Sequence, residues 1–139
     1  MGEPRRIEVS EDDEFSLPGS FDVVGESHYQ DNIEAICGGR KADGEEREVE
    51  AVLVLEDGNQ YDSLAVRIDV QGKTVGYLSR ESARAYREWL QEIGHQGVWA
   101  IWDAMIRGGW DRGQGDRGHY GVEVYIGRDE VVGEGEANL

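Results

Sequence analysis

Within DGNQYDSLAVRI, residues 57–68, an aromatic and a carboxylate stand side by side at the exit of a turn rich in Gly, Asn and Asp: Tyr61 and Asp62. The pairing has a chemistry. A tyrosine ring is a sequence-blind stacking platform worth about 1–3 kcal/mol per base. An ionised carboxylate only accepts hydrogen bonds, so it rewards a hydroxyl and repels a phosphate. Side by side, the two groups can tell a free strand end from a strand that continues. The same residues also suit a plain structural role, with Asn59 and Asp62 capping an Asx-type turn and Tyr61 packing on the domain.

A second stretch interleaves base and aromatic, the combination that single-strand binding uses. It is the Gly-rich segment carrying Arg107, Trp110, Arg112, Arg117, His119 and Tyr120, with Asp111 and Asp116 partly cancelling its charge. A mobile hairpin with solvated charges is the structural alternative. GGWDRGQG is not a phosphate loop, because no Lys-Ser/Thr follows the glycines. His28, His95, His119 and Cys37 make no metal-ligand spacing. No nucleophile–base constellation is visible, so the expectation is a protein without catalytic residues, cofactor or metal.

The elements that must position these residues read as mostly β. SFDVVG (20–25) is a short apolar strand. DNIEAICGG follows as a short helix, with Asp31 and Glu34 at capping-box spacing and Gly38 as its stop. GRKADGEERE is a polar loop, and VEAVLVLE (49–56) is a strand apolar on both faces. LAVRIDV (64–70) alternates with Leu64, Val66, Ile68 and Val70 inward, and QGK turns it into TVGYL as a hairpin. SRESARAYREWLQEIG is the main helix, with Ser79 as N-cap, Ala83, Tyr86, Leu90 and Ile93 as its apolar stripe, and Gly94 as its stop. VWAIWDAMIR (98–107) and HYGVEVYI (119–126) are two further strands flanking the Gly-rich loop. The expected fold is mostly β: a small OB-like β-barrel with one main helix and one short helix, and an SH3-like barrel is the second reading.

The 139 residues suit one domain, expected over 19–126, between acidic flexible tails at 1–18 and 127–139. The formal charge is −16, concentrated in the first half and the tails. Such a balance argues against tight nonspecific duplex binding, which rests on phosphate neutralisation. The lone Cys37, and the lack of an apolar run that could span a bilayer or serve as a signal, predict a cytoplasmic protein that does not engage membranes.

Two segments taken together resemble the HIRAN domain family: FDVVGESHYQDN (21–32) and LEDGNQYDSLAVRIDVQGKTVGYLSRESA (55–83). The spacing of Asn59, Tyr61, Asp62, Ala65 and Val66, followed by Gly76, Tyr77 and Leu78, is the more specific part. AMIRGGWDRGQGDRGHYGVEVYI (104–126) is similar to the family's closing hairpin. The resemblance implies an OB-like barrel with a pocket for the 3′ end of single-stranded DNA. Tyr61 would stack, Asp62 would accept from the 3′-hydroxyl, and His28 and Tyr29 would supply the second aromatic wall. The chain departs from the family at Gln60, where Pro is frequent, and at Leu64, where Asn is. Ser27, preceded by Glu26, stands where DNA-binding members place a basic residue.

The leading expectation is a noncatalytic module that binds single-stranded DNA 3′ ends weakly and serves DNA repair, with a possible protein partner in DNA processing. The alternative is a protein-interaction adaptor that uses the same barrel groove without binding DNA.

Overall fold

The computed structural model describes residues 3–9 and 19–127. Strand β1 (Phe21–Asp22) leads through a 3-10 turn (Glu26–His28) into helix α1 (Gln30–Cys37). Then come β2 (Glu45–Leu55), β3 (Val66–Val70), β4 (Lys73–Tyr77), helix α2 (Arg80–Glu92), β5 (Ala100–Gly108) and β6 (Tyr120–Tyr125). The strands form one antiparallel sheet in the order β1-β6-β5-β2-β3-β4. Its two edges meet. Just past β1, Val24 exchanges both main-chain hydrogen bonds with Tyr77 at the end of β4, at 2.8 and 2.9 Å. That single rung curls the sheet into the small OB-like barrel expected, with one main and one short helix.

The inward rows of β2, β3, β5 and β6 bury Ala51, Leu53, Val66, Ile68, Val70, Trp102, Ala104, Ile106, Val122 and Val124. Helix α2 closes this core with Ala83, Tyr86, Trp89 and Leu90. It starts where Ser79 Oγ accepts from the Ser82 N–H at 3.1 Å. Inside, the Trp102 indole donates to the Tyr86 hydroxyl at 3.0 Å, which satisfies a polar group that burial would otherwise make costly. The β3–β4 hairpin turns on Gln71 and Gly72, both at positive φ as a two-residue turn of this hand requires.

Three local expectations need correction. Helix α1 has no side-chain cap: Tyr29 is its N-cap, and Asp31 lies inside the first turn. Gln30 anchors its start instead, exchanging hydrogen bonds with both main-chain groups of Tyr120 on β6, at 2.8 and 3.2 Å. Strand β2 begins at Glu45, within the stretch read as polar loop, because Glu46, Glu48 and Glu50 face outward while the ladder to β5 runs on beneath them. Leu64 precedes β3 and is 39% exposed rather than inward.

The N-terminal tail is the larger correction. Residues 3–9 dock on the barrel. Arg5 forms a parallel bridge beside Ala100, on the stretch of β5 where β6 has already ended. Arg6 spans Glu50 (2.8 Å) and Asp103 (2.6 Å), two acids directly opposite one another on β2 and β5. Like charges in that register repel, and Arg6 offsets the repulsion. Ile7 is buried in the core. The rest of the expected first tail, 10–18, and residues 128–139 of the second lie outside the described residues.

Candidate functional site

The outer surface of the barrel carries one cross-strand row of interest. Val54 on β2 stands opposite Arg67 on β3, and Arg67 opposite Tyr77 on β4. On the other flank, Trp99 comes one residue before the last β2–β5 rung, Leu53–Ala100. Above this row curls the turn 57–61. Together they enclose an open cleft of about 690 Å³, lined among others by Val54, Glu56, Tyr61, Arg67, Tyr77 and Trp99.

Charges in the floor are internally paired. Arg67 bonds Glu56 at 2.8 Å and holds Asp69 with two nitrogens at 3.0 Å. Burial works to raise the Glu56 carboxyl, but hydrogen bonds from Asn59, Tyr77 and Arg67 hold it below the usual range. Burial, and then the bond to Glu56, push the Tyr77 hydroxyl up to about 12. Tyr77 therefore stays a neutral donor at any physiological pH.

The turn is pinned by its own side chains. Asn59 Oδ1 accepts from the N–H groups of Tyr61 (2.8 Å) and Asp62 (3.0 Å), while its amide donates to Glu56 at 3.0 Å. Asp62 Oδ1 accepts from the Leu64 N–H at 3.0 Å. Both are the Asx-type bonds that the turn-cap reading expected. The other half of that reading does not hold, because Tyr61 does not pack on the barrel: it is 85% exposed. The two neighbours also diverge. Tyr61 borders the cleft, whereas Asp62 turns toward α2, where Arg84 lies 3.3 Å and Arg80 3.4 Å from its oxygens. The Leu64 N–H, then the charges of Arg84 and Arg80, hold the Asp62 carboxyl below the ordinary range for aspartate.

Those arginines are what the sequence reading missed. Arg80, Arg84 and Arg87 recur at helical spacing on one side of α2. Arg87 is committed to structure, donating to the Leu64 and Ala65 carbonyls and pairing with Asp57. Arg80 projects into solvent, 75% exposed at its side chain. The legible signal was a periodicity of charge, in a helix read only for its apolar stripe.

The other expected site residues are not among those lining this cleft. His28 is exposed on the 3-10 turn, and Tyr29 is half-buried at the start of α1. Tyr29 lies near enough to Tyr77 to contribute to its raised pKa. The Gly-rich hairpin is at the far end of the barrel. Lys41, ahead of β2, bridges to Trp110, while the cleft sits at the C-terminal end of β2, from Val54 onward. The strand residues 45–53 separate the two, about 30 Å at ordinary strand spacing. Each arginine there is matched by an acid: Arg107 with Glu123 and Glu46, Arg112 with Asp116, Arg117 with Asp111. Arg112 also lies over the Trp110 ring at 5.4 Å. The hairpin is a self-neutralised unit and does not join the Tyr61 cleft. Among the described residues, no three His, Cys, Asp or Glu side chains gather to hold a metal ion, and no helix is long and apolar enough to cross a membrane.

No family model matches the chain, and no curated protein matches it. Among solved structures, the crystal structure of a structural-genomics protein from Lactobacillus plantarum is similar, at 20% identity over 77% of this chain and 91% of that one. Its TM-score is 0.39, too low for either fold to inform the other.

Proposed function

We propose that this protein is a noncatalytic module that takes the 3′ end of a single nucleic-acid strand at the Tyr61 turn, as its resemblance to HIRAN domains implies. The observation that carries this reading is the exposure of Tyr61. A bare aromatic ring, held out by a turn pinned on both sides, costs solubility without helping the fold, and stacking gives it a use. The neighbouring groups fit one nucleotide. The base lies on Tyr61, the sugar crosses the turn to Asp62, and the last phosphate meets Arg80 and Arg84. Among the described residues Asp62 Oδ2 has only the long contact to exposed Arg80, so it keeps room to accept from a hydroxyl.

One observation favours a second reading. The outer faces of β2 and β5 present Glu46, Glu48, Glu50 and Asp103, whose charge Arg6 and Arg107 offset in part, and the net acidic surface suits a basic protein partner rather than phosphate. In that adaptor reading Tyr61 anchors a peptide instead.

The deciding experiment is a low-salt titration with oligonucleotides bearing a free or a phosphorylated 3′ end. The free end should bind more tightly. Few phosphate contacts imply a shallow salt dependence, with a slope of about −1 to −2. Tyr61→Ala should weaken every strand by about 1–3 kcal/mol and leave melting unchanged, since the ring is solvated. Asp62→Asn should flatten the end preference. Because the Asp62 pKa is depressed, the preference should survive at pH 5, lessened only as the 3′-phosphate takes up a proton near its second pKa of about 6, and should vanish as the carboxylate protonates below its ordinary value. Equal binding of both ends, or none, removes the end-reading role and leaves the adaptor.

A further inference from the structure

We infer that Trp99 is the second stacking wall of the cleft, facing the Tyr61 turn, and that the docked N-terminal segment holds it in place. The inference deepens the strand-end reading and rests on it.

Among the described residues the tryptophans divide by burial. Trp89 and Trp102 are core residues, 2% and 1% exposed, with rings 5.9 Å apart. Trp99 is only partly buried against the core and is one of the residues lining the cleft. It sits at one flank of the row Val54–Arg67–Tyr77, with the Tyr61 turn arching over that row. With Trp99 and Tyr61 both among its lining, the cleft offers a planar, uncharged ligand an indole and a phenol. The polar floor is already paired within itself, so little of it is free to reward an ionic ligand. An unpaired base suits that environment. A phosphate does not.

Trp99 lies outside the regular ladder, and something must fix it. Its carbonyl accepts from the Arg5 N–H at 3.1 Å, and the Ile101 N–H donates to the Arg5 carbonyl at 2.9 Å. These two bonds straddle Ala100 on one edge, while Leu53 pairs with Ala100 on the other. The backbone that aims the indole is therefore clamped between β2 and the N-terminal segment. Ile7 in the core and Arg6 across Glu50 and Asp103 anchor that segment.

The test uses the full chain and two probes: a thymidine decamer ending in adenosine with a free 3′-hydroxyl, and the same strand with an abasic 3′-terminal sugar. Trp99→Leu keeps an apolar side chain but no ring plane. It should weaken the adenosine-ended strand about 5- to 100-fold and leave the abasic strand unchanged, and Trp99→Phe should restore most of the loss. Arg5→Pro removes the donor to the Trp99 carbonyl together with the Arg5 side chain, for which Arg5→Ala is the control, and relative to that control should weaken the adenosine-ended strand about 2- to 10-fold with the same selectivity. Equal weakening of both probes by Trp99→Leu would reduce the residue to packing and overturn the inference. So would wild-type affinity in that variant while Tyr61→Ala still loses binding, which spares the strand-end reading. Wild-type affinity in Arg5→Pro overturns the role of the N-terminal segment. If the unaltered protein binds neither probe, both inference and reading fall.

Discussion

Replacing Gly76 with alanine should cost about 2–5 kcal/mol, a large share of the stability of a domain this size. Gly76 sits near the end of β4 with φ +154°, and a Cβ built there would lie 2.3 Å from Val23 Cγ1 and 2.7 Å from the Val24 carbonyl oxygen. One of those atoms is main chain and cannot step aside. It is also the carbonyl that accepts from Tyr77 to close the barrel. Relief of the clash therefore means parting the edges, and the cost combines overpacking with loss of closure. A urea titration should show a much lower midpoint for Gly76→Ala. Gly121→Ala on β6, where a Cβ meets nothing within 4 Å, serves as the control and should stay close to the parent. A Gly76→Ala midpoint equal to that of the control would mean that the edges are not joined in this way.

Removing residues 1–9 should cost about 2–4 kcal/mol and lower the melting temperature by roughly 10 °C. Most of this comes from Ile7, whose side chain would leave a void in the core. The rest comes from the exposed edge of β5 and from the unshielded Glu50–Asp103 pair. Arg6→Ala alone should do far less, because Arg6 and Glu50 are substantially exposed and such pairs contribute little. Adding salt should largely close the gap between Arg6→Ala and the parent, but should reduce that of the deletion only by the same small amount. A deletion that melts with the parent would show that the segment only rests on the surface.

The sequence reading failed at this segment for a physical reason. RRIEV offers two apolar residues amid charge, too few for a period to stand out, and its pairing partner lies some ninety positions away. Where elements are long and locally consistent, the pattern was enough. Strand β3, its hairpin and α2 follow directly from alternation, a two-residue turn and a serine cap. The start of β2 was hidden because outward glutamates look like a loop when the partner strand is unknown. The α1 cap was misread because a distant strand, through Gln30, does the work expected of Asp31. At the site, the Asx bonds of Asn59 and Asp62 were legible as local chemistry. The divergence of Tyr61 from Asp62, the approach of Arg80 and Arg84, and the distance of the Gly-rich hairpin all depend on long-range packing. No spacing in the chain records them.

Among the described residues the barrel is joined along a seam only one residue pair wide, Val24 with Tyr77, whereas β2 and β5 share a ladder of nine paired positions. Amide protons at the seam are thus guarded by the shortest cooperative unit in the sheet, and they exchange with solvent through its opening rather than through global unfolding. Tyr77 also lines the cleft, so whatever occupies the cleft rests against the β4 side of the seam and slows exchange at those two amides while the β2–β5 ladder keeps its rate. Occupancy is then readable as deuterium retained at Val24 and Tyr77, whichever class of ligand the cleft takes.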